Sequence, residues 1–199
     1  MNVHAKFPPG AAYPNRPMSV EEFLAFAETC PAGEKWELIE GEPVLNASPT
    51  DFHQMVVLNL AEKLRAEKAR LGASWNPILG IGTRVPVSPK SLPQPDLFVK
   101  ETALTGSHTT DDALVLFEVL SKSNTPADKA WRRKVYASIP NCQHYVTISM
   151  KSVDIVSYDK ATNWKPRSRN GLQQVLELHA LGATLSVADI YQGTNLAAP

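Results

Sequence analysis

Leu114-Val115-Leu116-Phe117-Glu118-Val119-Leu120 sets six apolar residues around one carboxylate. A continuous apolar run of this length reads as a strand buried on both faces. Burying an ionised glutamate there without a partner costs several kcal/mol, so Glu118 needs a counter-charge. A cation is the simplest one. The stretch Gln94-Pro95-Asp96-Leu97-Phe98-Val99 reads as a neighbouring strand and offers Asp96 as a second carboxylate. Two carboxylates converging on one point, with oxygen ligands only, suit Mg²⁺ or Mn²⁺ better than zinc. Taken singly, each has a structural reading: Asp96 as a turn aspartate after proline, Glu118 as a strand glutamate salt-bridged to arginine.

The rest of the chain alternates strands and helices around this pair. Ser19 and Glu22 form a capping box that opens a short helix over 19–29. Residues 36–46 read as a hairpin turning at Gly41, with Pro43 on its second strand. Val56, Val57, Leu60, Leu64 and Leu71 recur at helical spacing, which predicts a long helix over 51–71 capped at Thr50 or Asp51 and stopped by Gly72. Residues 73–87 predict two short strands around Gly80 and Gly82. A polar loop, Thr105 to Asp112, precedes the Glu118 strand. A second helix follows over 126–138, with Pro126 in its first turn. Strands at 143–149 and 152–158 turn near Lys151, and 159–173 reads as a polar, basic hairpin tip. Two strand-like runs near 174–179 and 183–187 lead to a helical turn ending near Tyr191. The pattern lacks strict βαβ regularity and predicts an α/β fold with a central mixed sheet. Residues 1–18 read as a loose N-terminal arm, and 19–199 as one domain.

Composition narrows the classes. The 199 residues are 43% hydrophobic, enough for one domain with a real core. No apolar run reaches the ~18 residues of a membrane span. Cys30 and Cys142 lack metal-type spacing, so the expectation is a reduced, cytoplasmic chain with structural thiols. Twenty basic and twenty acidic residues argue against a protein that grips nucleic acid over its whole surface, while a local basic cleft remains open. No phosphate loop, zinc spacing or local nucleophile signature is present.

Further candidates surround the two carboxylates. Glu37 lies in the apolar Trp36-Glu37-Leu38-Ile39, as a third ligand or an orienting group. His53, in the first turn of the long helix, follows the Glu37 hairpin closely and can face the same cleft. On the second helix Lys129, Arg132, Arg133 and Tyr136 share one face. A cation there would stabilise the charge that develops during phosphodiester cleavage. Lys122, four residues past Glu118, is another. Lys165, Arg167 and Arg169 flank the basic tip near Trp164 and are candidates for a nucleic-acid backbone. Their structural reading is an ordinary exposed hairpin.

The run Trp36 to Glu42, with His53 and Asn59-Leu60, resembles the opening of the Uma-two endonuclease family of the PD-(D/E)XK nuclease superfamily. Gln94-Pro95-Asp96-Leu97 and Glu118-Val119-Leu120-Ser121 are similar to two further motifs of that family. Asp128, Tyr136, Ile139-Pro140 and Tyr145-Val146 continue the pattern. The resemblance implies a restriction-endonuclease-like fold: a central mixed sheet flanked by helices. It implies Asp96 and Glu118 as metal ligands and Glu37 and His53 as further site residues. The superfamily lysine falls at Leu120 here. The alternative position, on the following helix, is Arg132. Arginine keeps the charge but does not readily give up a proton. Lys129 and Lys122 are the lysines available to substitute. The leading expectation is a Mg²⁺- or Mn²⁺-dependent DNA endonuclease, with a homodimer expected from fold analogy. The alternatives are a nuclease-fold protein that binds nucleic acid or a protein partner without cutting, and a metal-dependent hydrolase of another substrate.

Overall fold

A computed structural model describes residues 16–80, 85, 87–121 and 124–197. Its centre is a six-stranded sheet in the order β3-β4-β5-β6-β7-β8. In chain order, α1 (Val20–Glu28) precedes the hairpin β1 (Lys35–Ile39) and β2 (Glu42–Asn46). Next come α2 (Asp51–Leu71), β3 (Asn76–Leu79), β4 (Leu97–Lys100), β5 (Ala113–Leu120) and α3 (Pro126–Ala137). The chain ends with β6 (His144–Ser149), β7 (Ile155–Asp159), β8 (Pro166–Arg169), β9 (Val175–Leu178), β10 (Ala183–Ser186) and α4 (Val187–Tyr191). Only β5 and β6 pair in parallel, across the α3 crossover, while the other neighbours in the sheet are antiparallel. The expected mixed sheet with flanking helices is therefore present.

Alternation along β5 separates the two faces. Val115, Phe117 and Val119 pack with Leu97 and Val99 into the core beneath α2 and α4. Leu116 packs with Phe98, Tyr136 and Tyr145 on the other face, under α3. By the two-residue period Glu118 shares the face of Leu116, so it points toward α3 at the end of the strand. A third cluster joins α1 to the hairpin through Phe23, Trp36, Leu38 and Leu92.

The local signals explain the elements near the site. Thr50 caps α2, accepting a 3.3 Å bond from the His53 amide, which places His53 in the first turn. Gly41 turns the hairpin at φ +88°, and a Cβ there would collide with the Pro17 side chain. A Cβ on Gly80 would collide with the Pro95 carbonyl oxygen. That close approach lets the Gly80 amide hold the Asp96 carbonyl at 2.9 Å.

Four expectations change in detail. Asp96 lies just before β4 rather than inside it, although its amide still bonds the Phe117 carbonyl at 3.1 Å. Of the strands expected over 73–87, β3 is present, and the region around Gly82 lies outside the described residues. The basic tip contains β8, whose backbone pairs with β7 to complete the sheet. Of the expected arm, Met18 is buried and its amide bonds Gly41, so it belongs to the packed unit, while residues 1–15 lie outside those described. No helix among the described residues is long and apolar enough to cross a membrane.

Candidate active site

Four elements meet at one end of β5. Glu118 comes from β5, Asp96 from the approach to β4, Lys35 and Glu37 from β1, and Arg132 and Tyr136 from α3. On β1 the period of two puts Trp36 and Leu38 against α1 and turns Lys35 and Glu37 the other way. On α3 Arg132 and Tyr136 are one turn apart, and both are buried against the sheet.

Arg132 ties two carboxylates together. Its Nη2 donates to Glu37 Oε2 at 2.6 Å, and its Nη1 to Glu37 Oε1 at 3.1 Å and Glu118 Oε1 at 2.8 Å. Tyr136 accepts from Arg132 Nη1 at 3.3 Å and donates to Glu118 Oε1 at 2.8 Å. Glu37 also accepts from the Gln94 amide at 2.6 Å and from Asn46 Nδ2 at 2.8 Å. Asp96 has its own partners: Lys35 Nζ at 2.8 Å on Oδ1 and the Val119 amide at 2.8 Å on Oδ2. His53 Nε2 lies 3.4 Å from the same Oδ1. Glu118 Oε2 takes no hydrogen bond from the described residues.

The electrostatics divide the carboxylates. Burial pushes Glu118 up to about 7; Arg132 opposes this, and Asp96 adds to it. Burial also works against ionised Glu37, but Arg132, Lys35 and the Gln94 amide together outweigh it and lower the pKa from its ordinary value. Burial likewise opposes ionised Asp96, and His53 and Lys35 together bring its pKa far down. For Arg132, burial is overcome by Glu118 and Glu37, which hold the guanidinium protonated. Burial, then Glu118, keep the Tyr136 phenol neutral and donating. Ionised Glu37 and Asp96 balance Lys35 and Arg132, and Glu118 adds its negative charge only as the pH rises through about 7.

The structure thus brings together Asp96, Glu118, Glu37, His53 and Arg132. Lys129 stands exposed on the first turns of α3, with no ion pair to these carboxylates. Lys122 lies outside the described residues. Arg169 departs from its expected role. It is buried and donates to Val175 O at 2.8 Å, Ser157 Oγ at 2.7 Å and Arg167 O at 3.0 Å, so its side chain serves the fold. Arg167 pairs with Glu177 at 2.9 Å, while Lys165 is exposed. Lys35, Asn46 and Tyr136 join this candidate site through their contacts, and the sequence alone did not assign them. The signal for Lys35 was its place two residues before Glu37 on one strand face, and for Tyr136 its place four residues after Arg132.

A mixed sheet carrying buried carboxylates at one strand end, beneath a crossover helix, has the architecture of the restriction-endonuclease-like nucleases. The chain belongs to the Uma2 family, described as "Putative restriction endonuclease", whose model matches residues 20–188. Its fold is similar to a crystal structure from Anabaena variabilis ATCC 29413, described as "a putative nuclease belonging to DUF820". That match has a TM-score of 0.72 at 13% identity and covers 88% of this chain and 98% of the other. No curated protein matches the chain.

Proposed function

We propose that this chain is a metal-dependent DNA endonuclease centred on Asp96 and Glu118. The observation that carries this reading is the pair of carboxylates at the end of β5, Asp96 and the buried Glu118, with Glu118 Oε2 taking no hydrogen bond from the described residues. Among the described residues no three His, Cys, Asp or Glu side chains gather as a metal cage. Mg²⁺ does not require one, since it is held by one or two carboxylates with water and substrate phosphate filling the other positions. The oxygen-only pair therefore fits Mg²⁺ or Mn²⁺. When bound, such an ion supplies Lewis-acid polarisation of the phosphate and a better nucleophile from water.

The protein's own groups have separable roles in this reading. Arg132 holds Glu37 and Glu118 in register and, as a guanidinium that keeps its proton, is no general base. Tyr136 fixes Glu118 Oε1 and leaves Oε2 to face the ligand. The Val119 amide and His53 orient Asp96. Exposed Lys129 and Lys165 are available to a nucleic-acid backbone, and two copies acting on opposite strands make a homodimer the matching assembly. The reading of a binder that does not cut is favoured by one observation: Arg132 already bridges Glu37 and Glu118, a place a divalent ion would share.

The test is supercoiled plasmid incubated with Mg²⁺ or Mn²⁺ and, in parallel, with EDTA. Nicking that needs the ion and falls at least about 100-fold in Asp96→Asn is expected. Binding of DNA in EDTA without cleavage under either metal would replace the endonuclease with the binder.

A further inference from the structure

We propose that Lys35 is the residue that contacts the phosphate entering the Asp96–Glu118 site. The inference rests on the nucleic-acid reading above and assigns the contact to β1 rather than to α3. Arg132 has nothing to offer an incoming anion. Its side chain is 7% exposed, and both Nη atoms are committed to Glu37, Glu118 and Tyr136. Its Nε is enclosed without a hydrogen-bond partner and is closed to solvent. Lys129 is exposed but stands apart from the carboxylates.

Lys35 combines contact with access. Its Nζ sits 2.8 Å from Asp96 Oδ1, and its side chain keeps 28% of its surface open. An ammonium has three N–H donors. One goes to Asp96, and no other described residue takes a hydrogen bond from it. Asp96 thus fixes the position of the ammonium while its remaining donors have no partner among the described residues and the side chain stays partly accessible. The backbone beneath it is held as well. Lys35 pairs with Asn46 across the hairpin, and Asn46 Nδ2 bonds both the Lys35 carbonyl at 3.3 Å and Glu37 Oε2 at 2.8 Å. A cation held in place before the ligand arrives needs little reorganisation to meet a phosphate oxygen, which is the arrangement that stabilises developing charge best. A lysine that served only as counter-ion to Asp96 would alter stability and leave ligand affinity unchanged.

The experiment measures fluorescence anisotropy of a labelled 20-base-pair duplex in EDTA across a salt series. It compares the wild type with Lys35→Gln, Lys35→Arg and Arg65→Gln, a control on the exposed face of α2. Each phosphate contact contributes about 0.9 to the slope of log K against log salt. Lys35→Gln is expected to lower that slope by about one contact, while Lys35→Arg and Arg65→Gln keep it. On the cleavage side, Lys35→Gln is expected to lose about 100-fold in kcat. An unchanged slope in Lys35→Gln overturns the assignment. If Lys35→Gln does not fold, a lowered slope in Lys35→Arg, which retains the charge, overturns it instead. A wild type that binds with a Lys35-dependent slope but never cuts removes the endonuclease and keeps the contact. A wild type that neither binds nor cuts removes both.

Discussion

Arg132 and Arg169 are both buried arginines at the sheet, and they do different things. Arg132 faces two carboxylates at the end of β5. Arg169 faces two carbonyl oxygens and a serine hydroxyl at the β8 edge. Around Arg132 the carboxylates overcome burial and raise the pKa. Around Arg169 burial prevails, neighbouring Arg167 adds to it, and the pKa falls. A basic residue in a sequence therefore says little about ligands until its acceptors are known. The charged acceptors of Arg132 belong to the candidate site at the end of β5, whereas the neutral acceptors of Arg169 knit the edge strand to its neighbours.

The largest effect should follow from removing Arg132. Arg132→Met leaves Glu37 and Glu118 buried without their shared cation, and breaking a buried pair in this way costs about 3–5 kcal/mol. Urea denaturation at neutral pH should show that loss, and a loss under about 1 kcal/mol would mean that the carboxylates are neutral in the folded chain. Arg169→Met leaves only neutral acceptors unsatisfied, and about 1–3 kcal/mol is expected. A loss equal to that of Arg132→Met would erase the distinction between the two regions.

The two glutamates on Arg132 respond to pH in opposite directions. Glu118 has its folded pKa raised from 4.5 to about 7. Its contribution to stability is full below pH 4.5 and is lost as pH rises through about 7. Glu37 is shifted the other way, so its contribution is present above the ordinary carboxylate pKa and is lost as pH falls through its folded value. Melting curves in EDTA should therefore show Glu118→Gln gaining on the wild type between about pH 5 and pH 8. Over the same range Glu37→Gln should melt below the wild type. Parallel behaviour of the two variants would contradict the opposite shifts. The smallest effect belongs to Arg167→Gln, which breaks an exposed pair with Glu177 and should cost at most about 1 kcal/mol.

Much of the fold was legible because punctuation and period agreed. The Ser19 capping box, the Gly41 turn, Gly72 at φ +62° and the apolar β5 run each marked an element that is present. β8 was not legible. Its residues, Pro166-Arg167-Ser168-Arg169, carry no apolar alternation, and they form a strand because β7 offers a backbone to pair with. In the site, carboxylates inside apolar strands stood out because burying charge is costly. Arg132 was visible as a cation on the right helix face, but its grip on Glu37 joins residues 95 positions apart and has no local signature. Lys35 was obscured by its place at a strand start, where a lysine usually reaches into solvent.

The proposed metal role requires Asp96 and Glu118 to hold a divalent ion together. It is tested most directly by thermal melts of the wild type, Asp96→Asn and Glu118→Gln, each in EDTA and in Mg²⁺. Binding at ten times Kd adds about 1.4 kcal/mol to the native state. For a chain of this size that raises the midpoint by roughly 3–6 °C. This shift is expected in the wild type and its absence in both variants. An equal shift in all three proteins would place the ion elsewhere and contradict the claim.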